Sequence, residues 1–100
     1  DQMITLAALA FSCLTYQEFT YCLDRDSVVA NKEHDRVASW SVKSINPAGP
    51  KYTLYISHRC GYPVLWATLS PRAGWIKAAA PAGSLDAKLV NMMCSVPAKG

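Results

Sequence analysis

Apolar and polar side chains take turns along the middle of the chain. In ASWSVKSI, Ala38, Trp40 and Val42 fall on one side and Ser39, Ser41 and Lys43 on the other. A period of two is that of a strand with one buried face. The alternation resumes in KYTLYISHR, where Tyr52, Leu54, Ile56 and His58 oppose Thr53, Tyr55, Ser57 and Arg59. NPAGP between them is turn chemistry, so the pair predicts a hairpin with its loop over 46–50. CGYP then turns the chain. VLWATL is apolar on both faces, the pattern of an internal strand covered on two sides. SPRAG predicts a second turn, WIKAAA a short strand and PAGS a break. Trp40 and Trp66 both fall in the core on this reading.

The ends of the chain carry mixed signals. MITLAALAFSCL (Met3 to Leu14) is apolar on nearly every side. Ala7, Ala8 and Ala10, with no Gly or Pro before Val29, predict a helix over about residues 4–16, with a strand as the competing form. The aromatics and threonines of TYQEFTYCL predict a strand over 18–23. DRDSVVANKEHDR reads as a surface loop with a turn at Ala30-Asn31-Lys32. At the other end, Leu85, Ala87 and Leu89 alternate with Asp86 and Lys88 and predict a strand from 85 to 95, although Leu85, Leu89 and Met92 also stand near helical spacing. Short strands separated by turn chemistry predict a mainly β fold. The expected form is a small antiparallel β-sandwich or β-meander with an apolar N-terminal helix or strand. The alternative is an α+β arrangement of one helix on an antiparallel sheet. One hundred residues suit a single domain, 1–100.

Composition adds a compartment. Four cysteines, Cys13, Cys22, Cys60 and Cys94, stand at wide and irregular spacing with no C-x-x-C pair. That fits two disulfides better than a metal site, with Cys13–Cys22 as a local clip and Cys60–Cys94 as a long staple among the three pairings open. A secreted, periplasmic or extracellular setting follows. The start at Asp-Gln reads as a processed or truncated product whose leader has gone. The apolar stretch is too short for the roughly twenty residues a transmembrane helix needs. Half the residues are apolar and only 17% are charged, which excludes a disordered chain.

The formal charge of +3 conceals a division. Residues 1–35 hold six of the seven acids and carry −4, whereas residues 36–100 hold eight bases against Asp86 and carry +7. Either the basic part serves an anionic partner, or the acidic part docks on it and neutralises it.

Little in the sequence supports catalysis. Cys60 or a serine would need His34 or His58 as base, and no nucleophile motif surrounds them. A small hydrolase using His58 is therefore the third reading. Glu33, His34 and Asp35 form an oxygen–nitrogen cluster without an EF-hand or H-E-x-x-H pattern, and the glycines stand singly, so neither metal nor cofactor is expected. Tyr62 and Trp75 flank turns, with Arg59 and Arg72 close by in sequence. Together these four predict an aromatic–basic patch suited to sugar stacking, anionic headgroups or protein hot spots. The expected function is non-enzymatic binding of a protein, a glycan or another anionic ligand through the loops of the sheet. A protein-directed inhibitor, an immunity-type factor or a subunit of a larger assembly is the alternative. The bases are spaced singly, which argues against specific nucleic-acid binding.

Overall fold

The structure, a computed structural model, describes residues 11–45 and 48–100. In chain order it comprises β1 (Phe11–Tyr16), β2 (Phe19–Asp24), a 3-10 turn (Arg25–Ser27), β3 (Val29–Ala30), β4 (Arg36–Ile45), β5 (Ala48–His58), β6 (Val64–Thr68), a second 3-10 turn (Pro71–Ala73), β7 (Ile76–Ala79) and α1 (Leu85–Cys94). The described strands form one seven-stranded antiparallel sheet in the order β1-β2-β4-β5-β6-β7, with β3 beside β4 beyond the end of β2. The fold is mainly β and is a meander, not two stacked sheets. The β4–β5 hairpin and the short β7 form as the alternation predicts, but the loop expected over 46–50 is shorter, because β5 begins at Ala48, which pairs with Ile45.

Two expected elements change type. The helix expected over 4–16 is a strand from Phe11 onward, paired residue by residue with β2. Residues 1–10, which include the three alanines that favoured helix, lie outside the described residues. What remains, FSCLTY, is rich in β-formers and is joined to β2 through a two-residue turn whose first member, Gln17, holds a left-handed φ of 56°. The strand expected over 85–95 is α1. Ser84 caps it by accepting a hydrogen bond from the amide of Ala87, and Leu89, Val90 and Met93 are buried together. Adjacent Leu89 and Val90 would point to opposite faces of a strand, whereas on a helix both reach one face along with Met93. The stretch read as a loop over 24–36 contains the short β3 and the fully buried Val28.

One face of the sheet is apolar, and α1 packs against it. Leu23, Ala38, Trp40, Ile56 and Leu65 from the strands close on Leu89, Val90, Met93 and Val96. Trp40, at 1% exposure, is core as expected. Each fully buried large side chain of this kind is worth about 1.5–3 kcal/mol. Arg36 sits at the edge of the same face, and its Nη1 donates to the carbonyls of Met93 (3.1 Å) and Val96. The end of α1 is therefore held by β4. Two disulfides complete the frame, Cys13–Cys22 across β1 and β2, and Cys60–Cys94 from the turn after β5 to the last residue of α1. Among the described residues no helix is long and apolar enough to cross a membrane.

Candidate functional site

The four residues expected to form a patch separate into two pairs. Arg59 and Tyr62 meet at the β5–β6 turn, where Nη1 of Arg59 donates to the Tyr62 hydroxyl (3.2 Å) and the guanidinium lies 5.1 Å from the ring centroid. A second nitrogen, Nη2, donates to the Glu33 carbonyl (3.2 Å). Arg72 and Trp75 lie in the β6–β7 turn, at the other end of β6. Five residues of strand put about 17 Å between those ends. Arg72 is exposed and Trp75 is half-buried.

Register assembles a different surface on the face of the sheet turned away from α1. Across β4 and β5 it presents Lys43 opposite Lys51, Ser41 opposite Thr53, and Ser39 opposite Tyr55. Thr68 of β6 continues the Tyr55 row, and Trp66 and Lys77 continue the row of Ser57. Thr20 and Cys22 of β2 extend the rows of Lys43 and Ser41. A shallow depression of ≈ 320 Å³ lies between Phe11, the Cys13–Cys22 disulfide, Ser41 and Lys51. This face therefore carries hydroxyls and rings between lysines at both ends. None of Lys43, Lys51, Lys77, Arg59 and Arg72 forms an ion pair with a described residue. The two ion pairs among the described residues are Lys99–Asp26 at 3.4 Å and Arg36–Asp35 at 3.9 Å.

Trp66 belongs to this face and not to the core expected for it. His34 covers it, with ring centroids 4.0 Å apart and planes 28° from parallel, and Lys77 Nζ lies 6.0 Å from the same ring. His34 Nδ1 is hydrogen-bonded to the Ser57 hydroxyl at 2.5 Å. The loop reaches across because Asn31 Oδ1 accepts from the amides of Glu33 and His34, both at 2.9 Å, an Asx-type turn. Beneath His34, Ser57 is only 2% exposed, so a substrate carbonyl has no approach to its hydroxyl. Nothing in the sequence foretold this histidine–serine–tryptophan stack except the turn-forming Asn31. Of the Glu33-His34-Asp35 cluster, the His34 ring nitrogen Nδ1 is thus occupied by a serine.

His58 lies on the helix side, 2% exposed, with Nδ1 donating to the Val64 carbonyl (2.9 Å). Burial pushes its pKa below 6.5, assisted by the charge of Arg36 and by His34, and opposed by the Val64 carbonyl and Asp35. The native state thus favours the neutral ring, while the unfolded chain takes up a proton near the ordinary value. This contribution to stability is complete above about pH 6.5 and is lost as pH falls through the depressed native value. Asp86 acts in the opposite direction and lower on the scale. Burial raises its carboxyl above 3.8, so its contribution is present in acid and is lost as pH rises through the raised value. Urea midpoints measured from neutral pH down to about pH 5 are expected to fall for the native protein. They should fall less for His58→Gln, which keeps a donor for the Val64 carbonyl. Equal slopes for the two proteins would remove His58 from the account.

The chain matches no family model, and no curated protein or solved structure is similar enough to it to count as a match.

Proposed function

We propose that the protein is a non-enzymatic binding domain of an oxidising compartment, secreted or periplasmic, which lays an extended anionic ligand, an acidic glycan chain, across the open face of the sheet. The single observation behind this reading is the unneutralised basic charge of that face. Lys43 and Lys51 stand directly opposite each other on adjacent strands with no described carboxylate paired to either. Like charges placed opposite across strands oppose folding, so the arrangement suits a surface whose counter-charge comes from outside. Of the two readings of the divided charge, this favours the basic surface, because among the described residues the only ion pair between the acidic N-terminal part and the basic remainder, other than that of the neighbours Asp35 and Arg36, is Asp26–Lys99. Between the lysines, Ser39, Ser41, Thr53 and Thr68 offer hydroxyls, and Tyr55 offers a ring of the kind that meets sugars. Arg59, hydrogen-bonded to the Glu33 carbonyl of the loop that covers Trp66, lengthens the surface at that end. The two disulfides support the compartment, since they persist where thiols are not kept reduced.

A second reading, a protein-directed factor, draws on a different surface. At the free edge of β7, Leu69 and Ile76 are 65% and 73% exposed beside Arg72 and Trp75, a combination suited to a protein partner.

Lys51→Glu separates function from stability. Titrated with heparin as probe at low salt, the variant is expected to bind at least about tenfold more weakly than the native protein, and added salt should erase most of the difference. Its thermal midpoint should hold or rise, because the introduced carboxylate would face Lys43 with opposite charge. Equal binding of neutral dextran, or unchanged heparin binding by Lys51→Glu, would overturn the reading. Loss of binding on Leu69→Ser with Lys51→Glu silent would favour the protein-directed one.

A further inference from the structure

On the helix side, a cleft of ≈ 350 Å³ opens between the β5–β6 turn and α1. Pro63, Ala80, Ala87 and Val90 give it an apolar lining, and Tyr62 and Asn91 bring the polar groups at its sides. Among the described residues no carboxylate, lysine or arginine lines it. The space exists because Gly61, Ala80, Ala82 and Ala87 present so little side chain to it.

The buried His58 also lines this cleft. A carbonyl oxygen only accepts, so the bond to Val64 places the ring proton on Nδ1. In the neutral ring Nε2 is then a lone-pair acceptor, and no described protein group donates to it. Nε2 is not among the buried unpaired atoms, so it reaches the open cleft and stands available to a donor that enters it. The walls are held in place before any ligand arrives, because Cys60–Cys94 ties the turn to the end of α1.

We propose that this cleft binds a compact, uncharged molecule with an apolar body and one hydroxyl or N–H group, which donates to Nε2 of His58. The volume falls within the range of small-ligand sites. An ionised ligand is disfavoured because nothing in the lining carries the opposite charge. The site is separate from the lysine-bearing face, which lies on the other side of the sheet, so either can fail without the other.

Para-cresol serves as the probe and its methyl ether as the control, since the ether keeps the apolar body and lacks the donor. Titration followed by NMR is expected to give saturable shifts at the His58 imidazole and at Ala87 and Val90 with the phenol. The ether should bind at least about tenfold more weakly. Ala82→Trp and Asn91→Trp, at exposed positions in the lining of the cleft, should each weaken phenol binding by at least about tenfold with the thermal midpoint held. Equal affinity for the ether would rule out His58 as the acceptor. Undiminished binding in both tryptophan variants would place the phenol elsewhere, and the absence of saturable shifts would dispose of the site.

Discussion

Alanine at both Cys60 and Cys94 is expected to lower stability by about 3–4 kcal/mol. The bridge joins positions 34 residues apart, and β6, β7 and α1 all lie inside the loop it closes. Cutting it releases the unfolded chain from that constraint, and the chain-entropy relation gives this magnitude for a loop of such length. Stabilities of small domains run to about 5–15 kcal/mol, so the change removes a large share of the total. The Cys13–Cys22 bridge provides the internal comparison. It spans nine residues, for which the same relation gives about 2.5 kcal/mol, and it joins two strands already paired through a two-residue turn at the edge of the sheet. Urea denaturation without reductant measures both double variants against the native protein. A loss below about 1 kcal/mol for Cys60/Cys94 would mean that apolar packing and Arg36 alone dock the helix.

How much of this was legible in the sequence depends on which distance a feature spans. The β4–β5 hairpin was legible because alternation is local. Ala38 to Lys43 and Tyr52 to His58 announce their faces by their neighbours at two positions either side, and NPAGP marks the place of the turn although Ala48 onward belongs to β5. The pairing of the cysteines was legible from the loop lengths, although only the fold shows that the longer bridge anchors a helix. The type of α1 was not, because LDAKL satisfies both periods, and the decision falls to Val90 and Met93, which complete a helical face against the sheet. Trp66 was misplaced for a similar reason. A strand apolar on both sides has no preferred face, and its cover, His34, comes from 32 positions upstream. For the candidate patch, nearness in sequence is not nearness in space. Arg59 and Tyr62 share a turn, but a whole strand parts them from Arg72 and Trp75. The lysine pair was written in the sequence yet invisible there, since only the β4–β5 register sets Lys43 against Lys51.

The sheet thus divides the labour of the chain. Its apolar face, with α1, holds stability and the cleft at His58. Its open face holds basic charge that no described carboxylate neutralises. The residue that binds the two faces' common framework to the helix is Arg36, at the start of β4 and directly across from His58 on β5.

Arg36→Met is expected to cost about 2 kcal/mol, the net of two opposing terms. Against the arginine stands its desolvation. The side chain is only 15% exposed, Nε has no hydrogen-bond partner, and the nearest carboxylate, that of Asp35, is 3.9 Å away. A buried cation so placed can be worth less than an apolar side chain of its size. In its favour, Nη1 serves two carbonyls at the end of α1, those of Met93 and Val96, where the helix also presents partial negative charge. Met93's carbonyl has a second donor in the amide of Val96, but Val96's own carbonyl has none other among the described residues. Methionine would fill the volume and leave that carbonyl unpaired, which costs about 1–3 kcal/mol before the lost charge-assisted bonds are counted. The bonds therefore outweigh the desolvation. Arg36→Lys keeps the charge but not the planar fork, so its stability should fall between the two. Hydrogen exchange supplies the location. Protection should drop in the last turn of α1 in Arg36→Met, while the β4–β5 amides change only with global stability. A methionine variant as stable as the native protein would reverse the balance and make Arg36 a cost that the fold carries.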